Sequence, residues 1–334
     1  MWSVDYSQYS RLVRWMVALA ILVVLPQAAR AQWRATVGAQ SPQKGKQVLA
    51  FLPNELWIHE GDSITWKFEA GEIHTATFLA TNPVAQARPL FQAGCPGFSS
   101  DPSTFDGSTC VSTPPLVQGA TFTVQFPMPG NYKLVCLVHP DMTGVVHVLE
   151  LSKPLPHTQG FYDEKAEAQT RALLSDAEED DEQGDSSSHS SEHQVIVGGG
   201  EISTNTGGAS TLSTMRFVRH TTVIHAGQTV EWASDDPEDP HTITFGAEPA
   251  GAPLPPSSNV TIDADGARHA VINSTSDSVH SGFILAAPQD RTGLAQSPLG
   301  VTRFRITFTH PGTYPYICVL HDDLGMKGKI IVLP

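Results

Sequence analysis

The sequence predicts an all-β chain in which one strand-built fold is used twice, the copies being joined by an acidic linker. Two ungapped internal alignments and a shift in composition between them carry this reading. Phe51 to Trp66 aligns on Phe217 to Trp232, with the Phe, Ile58/Ile224, His59/His225, Gly61/Gly227 and Trp pairs identical. Phe122 to Tyr132 aligns on Phe304 to Tyr314, sharing two Phe, a Pro-Gly and a Tyr. Both stretches alternate apolar and polar residues with the period of two that a half-buried strand requires, and Gly or Pro-Gly marks the turns. From Asp163 to Glu192 eleven acidic residues stand against Lys165 and Arg171, which places −9 of the net charge of −14 in that segment. The expected organisation is a leader over 1–31, a first domain over 33–152, a linker over 153–193 and a second domain over 194–334.

Taken in order, Arg11 and Arg14, the apolar run Trp15 to Leu25 and Ala29-Arg30-Ala31 read as a cleaved export signal, so the protein is expected in the periplasm or outside the cell. The apolar run is too short for a confident membrane span, so a membrane is a partner only if the leader stays attached. The acidic balance argues against nucleic acid, which needs basic patches. Variable stretches, about Leu79 to Gly119 and Gly246 to Gly300, read as long loops or helices with loops. Asn259 and Asn273 sit in glycan-acceptor patterns. In the linker, Phe161 to Leu174 fits one amphipathic helix, and Ser175 to Glu192 is acidic and Ser-rich enough to lack structure. Cys95 and Cys110 flank a Gly-, Ser- and Pro-rich loop without metal-type spacing and are expected to form a disulfide; a Cys136–Cys318 bridge is the alternative.

The chemistry-bearing pattern also occurs twice. Cys136, His139 and Met142 follow the Tyr132 strand, and Cys318, His321 and Met326 follow the Tyr314 strand. The spacing is Cys-two-His-two-Met in the first half and Cys-two-His-four-Met in the second. Three such side chains on one loop need a fourth donor from elsewhere. His74 and His241 open the matching segments His74-Thr75-Ala76-Thr77-Phe78 and His241-Thr242-Ile243-Thr244-Phe245. Two imidazoles, a thiolate and a weak axial thioether are the ligand set of blue-copper electron-transfer sites. Zinc is the rival ion, but a structural zinc site wants more Cys or His. The loop histidines are expected nearer the surface, as electron ports among Leu137, Val138, Pro140, Val319, Leu320 and Leu324, and the unequal loops predict two distinguishable potentials. His59 and His225 read as surface or edge residues; His147, His269, His280 and His310 have no partner at ligand spacing.

These residues resemble the cupredoxin, or type 1 copper, family, in particular plastocyanin- and amicyanin-like domains, over most of both halves. The resemblance implies tandem Greek-key β-sandwiches, each with copper at one end. It implies His74, Cys136, His139 and Met142 as ligands in the first, and His241, Cys318, His321 and Met326 in the second. Thr75 and Thr242 depart from the family's Asn after the first ligand His; a backbone hydrogen bond to the sulfur is expected to survive this, a side-chain tie is not. The implied role is a two-copper carrier of single electrons between a donor and an acceptor redox protein, with no catalytic residues. Copper storage or delivery is a second class, and a two-domain copper oxidase or nitrite reductase a third. The third needs a second copper centre, whereas no His-x-His occurs and Val135 and Ile317, not His, precede the Cys residues.

Overall fold

A computed structural model of the protein describes residues 30–80, 95, 97–184, 193–250, 255–286 and 302–334, with backbone alone over 176–184. The expected leader lies almost wholly outside these residues, as do parts of both variable stretches. Two β-sandwiches are present, each built from two sheets. In the first, the sheet holding Gln32–Gln40, Ser63–Phe68 and Thr121–Gln125 faces a five-stranded sheet ordered Glu55–His59, Thr143–Leu149, Gly130–Val135, Thr77–Phe78, Val111–Ser112. The second repeats the plan. Gln194–Val197, Thr229–Ser234 and Arg303–Phe308 stand against Thr221–His225, Lys327–Leu333, Gly312–Ile317, Thr244–Phe245 and Val279–His280. The parallel pairings recur as well: Trp66 sits opposite Ala35, and Trp232 opposite Val195.

The alternation seen in sequence is what fills the cores. Ile64, Trp66 and Phe68 turn inward from one strand, and Val230 and Trp232 from its counterpart. Trp66 packs 5.4 Å from Phe78 and Trp232 5.8 Å from Phe245, centroid to centroid. Full burial of one such side chain is worth about 1.5–3 kcal/mol. A disulfide joins Cys95 to Cys110 across the first variable stretch, while Cys136 and Cys318 are both free and buried.

Two features differ from the sequence expectation. The linker helix, α1, runs Gln159–Gly184, so it starts earlier than Phe161 and continues beyond Leu174 into the part expected to lack structure. Its start follows from Thr158, whose hydroxyl accepts the Phe161 N–H at 3.4 Å as a cap. Its extension follows from Ala, Glu and Gln, which favour helix as well as solvent. α1 is also docked: Tyr162 is fully buried in the first core, its hydroxyl bonding both the N–H and C=O of Trp57, and Leu173 packs on Val48, Ala50 and Leu52.

The second difference is an exchange of strands. The hairpin Gly200–Asn205/Gly208–Thr214 comes from the second half but pairs with Lys46–Leu52, making the first sandwich's outer sheet seven-stranded. Asn54 donates to Asn205 at 2.7 Å, and Ala209 N–H donates to Thr143 Oγ1 at 2.9 Å, anchoring the hairpin tip. An otherwise open sheet edge is thereby closed by the other half.

Candidate metal centres

Each centre lies where a short strand meets the end of the Cys-bearing strand. Thr77–Phe78 pairs with Val135 and Leu134, so His74 and Thr75, just upstream, are brought beside Cys136. Thr244–Phe245 pairs with Ile317 and Tyr316, bringing His241 and Thr242 beside Cys318. Reciprocal backbone hydrogen bonds pin the upstream residues: His74 to Leu116 at 2.9 and 2.8 Å, and His241 to Ile284 at 3.0 and 2.8 Å.

Three donors converge in each half. In the first, His74 Nδ1 and His139 Nδ1 lie 3.0 Å apart, and Cys136 Sγ is 3.5 Å from His139 Nδ1. In the second, His241 Nδ1 and His321 Nδ1 also lie 3.0 Å apart, with Cys318 Sγ 3.5 Å from His321 Nδ1 and 4.0 Å from His241 Nδ1. All six residues are buried. Met142 and Met326 are fully buried at the loop ends. Cys136 N–H donates to Met142 O at 3.0 Å, and Cys318 N–H to Met326 O at 3.1 Å, which folds each loop back on its own cysteine. Three of the predicted donors are thus gathered in each half, with a buried Met at the end of the same loop, and Cys136 and Cys318 are both free.

Backbone N–H groups reach both sulfurs, two at Cys136 and one at Cys318. Thr75 N–H and His139 N–H each donate to Cys136 Sγ at 3.4 Å, and Thr242 N–H donates to Cys318 Sγ at 3.3 Å. A side-chain tie was expected to be lost with Thr in place of Asn, yet both threonines make one. Thr75 Oγ1 accepts the Leu137 N–H at 2.7 Å, and Thr242 Oγ1 accepts the Val319 N–H at 2.9 Å. Burial opposes ionisation of both thiols, yet the neighbouring imidazoles hold Cys136 and Cys318 well below the ordinary thiol range. A thiolate and two imidazole Nδ1 atoms closed off from water fit a borderline-to-soft ion such as copper or zinc and suit a hard cation poorly.

The back edges of the upstream histidines reveal residues that motif reading missed. Gly38 and Gly198, both at φ +68°, lie against the Nε2 atoms of His74 and His241, where a Cβ would collide. Behind His241, the fully buried Asp236 accepts at Oδ2 from Nε2 at 3.1 Å. Burial lowers the His241 pKa, but Asp236 and Cys318 outweigh it and push it up to about 9. The place corresponding to Asp236 beside Gly38 is taken by Ala70, and His74 Nε2 has no hydrogen-bond partner among the described residues.

The loop histidines overturn a sequence expectation. Instead of lying near the surface as ports, His139 is 0 % and His321 2 % exposed, because each is covered by the other half. His139 Nε2 lies 2.9 Å from Asp239 Oδ1 of the second half, close but out of line for a directed hydrogen bond. His321 Nε2 lies 3.2 Å from Glu72 Oε2 of the first half, and Glu72 Oε1 is 3.9 Å from His139 Nε2. Burial opposes protonation of both imidazoles. Asp239 with Cys136 raises His139 well above the ordinary value, and Cys318 with Glu72 does the same for His321. Glu72 and Asp239 each stand two residues before the upstream ligand His of their own half, a shared position that gave no signal because the two residues differ in type. His59 Nε2 donates to Lys153 O and His225 Nδ1 to Pro334 O, both at the sandwich edge; His280 is buried against Thr244 Oγ1.

A family model described as "Copper binding proteins, plastocyanin/azurin family" matches residues 203–333, which contain His241, Cys318, His321 and Met326. The second half is similar to a cupredoxin. The match falls on the second half of the chain, and the first half shows the same sheet order and the same donor triangle. Solved structures similar to it include an oxidised plastocyanin from Dryopteris crassirhizoma, at 21% identity, covering 42% of this chain and 99% of that one with TM-score 0.22. A purple cupredoxin from Nitrosopumilus maritimus is 20% identical over 35% of this chain and 99% of that one, TM-score 0.24. A reduced amicyanin mutant is 18% identical over 36% and 83%, TM-score 0.24.

Proposed function

We propose that the protein is an exported carrier with one type 1 copper in each half, passing single electrons between a donor and an acceptor redox protein. The observation that supports this is the pair of closed His/Cys/His triangles, each with a buried Met on the same loop. Copper would supply a reversible change of one charge. The chain's own residues would supply what makes such a change fast. Backbone N–H donors hold each sulfur, the Thr hydroxyls fix the residue after each cysteine, and burial excludes water, so little has to move when the charge changes. The same rigidity speaks for a carrier over a delivery protein, which must open to release its ion.

The test is a cupric titration of the purified mature chain followed by its visible spectrum. Intense copper–thiolate absorption that saturates at two equivalents is expected, falling to one when either Cys136 or Cys318 is replaced by Ser. Colourless binding, or turnover of nitrite or a phenol, would overturn the reading.

A further inference from the structure

The two centres face each other across a pseudo-symmetric contact, and this contact points to more than two independent sites. Each half offers its loop histidine and, two residues before its upstream histidine, a carboxylate; each carboxylate is placed on the other half's imidazole. Glu72 spans the gap, with one oxygen 3.9 Å from His139 Nε2 and the other 3.2 Å from His321 Nε2. The backbone of each carboxylate residue is pinned from behind. Gln47 Oε1 accepts the Glu72 N–H at 3.2 Å, and Asp236 Oδ1 accepts the Asp239 N–H at 2.8 Å. The ligand loops interlock around them: Asp141 N–H donates to Glu238 Oε1 at 2.6 Å, and Gly71 abuts Leu324 so closely that a Cβ on it would stand 2.7 Å from the Leu324 side chain. Buried carboxylates are tolerated only where partners compensate them, and on the face joining the halves Glu72 and Asp239 find theirs in ligand imidazoles.

We infer that this face is an internal electron relay, so that an electron entering one copper site passes through His139, the Glu72/Asp239 carboxylates and His321 to the other. The inference rests on the proposed copper loading. In the step one site gives up a single electron and the other gains it. No bond forms or breaks, no proton leaves, and no outside reagent is consumed beyond the redox protein that delivers the first electron.

The full copper-loaded chain is given a substoichiometric amount of reducing radical by pulse radiolysis, and redistribution between the two sites is followed optically. A redistribution phase whose rate does not change with protein concentration is expected. Gly71→Trp, which wedges the face open at Leu324 without touching a ligand, is expected to abolish that phase while both coppers remain bound. If the wedge variant does not hold two coppers, Glu72→Ala with Asp239→Ala takes its place. Redistribution proportional to protein concentration, or an unchanged phase in the copper-loaded variant, overturns the relay. A second readout needs no metal. In the metal-free chain the ring N–H signals of His139 and His321 should be protected from solvent exchange, and rapid exchange at both overturns the joined face. Absence of coloured copper in the titration would instead count against the proposed function.

Discussion

Asp236 is the residue that most clearly separates the two centres. A buried anion on the Nε2 side of a ligand imidazole raises its basicity and favours the more highly charged metal state. The second centre has that anion behind His241, and the first has Ala70 in its place and an unbonded His74 Nε2. Protein-film voltammetry is therefore expected to show two waves, the lower belonging to the second centre, and Asp236→Asn should raise that wave alone. A single wave indifferent to the substitution would contradict this. Thr75 supports a second expectation. Thr75→Val keeps the shape but leaves the part-buried Leu137 N–H unpaired, at a cost of about 1–3 kcal/mol in the metal-free protein, measurable by denaturant unfolding. The six expected loop donors were legible because their spacing is local, and His74 and His241 because the repeat sets them in matching segments. Gly38, Gly198 and Asp236 were not, because neither residue type nor spacing marks them until the fold sets them against the histidine rings.

At the scale of elements, the strands could be read because burial imposes its period of two directly on the sequence, and the repeat supplied each reading twice. The end of α1 was missed because Ser175 to Gly184 is acidic, a composition shared by solvated coil and solvated helix. The exchanged hairpin Gly200–Asn205/Gly208–Thr214 was missed because an alternating pattern says that a strand has two faces, not which sheet it joins. One element carries a pH prediction. Arg305 binds Asp265 through two nitrogens, at 3.0 and 2.7 Å, and also reaches Asp263 and Glu231. The Arg305 hydrogen bonds, with the Ala267 N–H, lower the Asp265 carboxyl from the ordinary 3.8 to about 2. A depressed carboxylate pKa contributes stability that is complete above the unfolded value and is lost as pH falls through the folded one. The stability gap between the parent and Arg305→Gln should thus be constant above about pH 4 and close as pH approaches about 2. A gap unchanged over that range would show the ion pairs to be idle.

For the whole molecule, what sequence could not disclose is how the halves meet. Glu72 and Asp239 look like ordinary surface acids, and the loop histidines look like exposed ports, until the two sandwiches are set face to face. Apolar periodicity describes each sandwich alone and carries no information about which of its ends is covered. The joined face also yields an expectation about integrity. A protease site introduced at residues 186–190 and cleaved in the native protein should leave the two pieces eluting together at the size of the intact chain. Two separate peaks would mean that only the covalent link holds them.

The exchanged hairpin has one more consequence, for anyone who would dissect the gene. A fragment ending at the first domain boundary would keep the whole of its first copper motif and yet present the Lys46–Leu52 strand with a row of bare amides and carbonyls, ready to recruit a neighbour. The half that looks complete by its chemistry is thus a borrower in its architecture, and expressed alone it should cling to copies of itself.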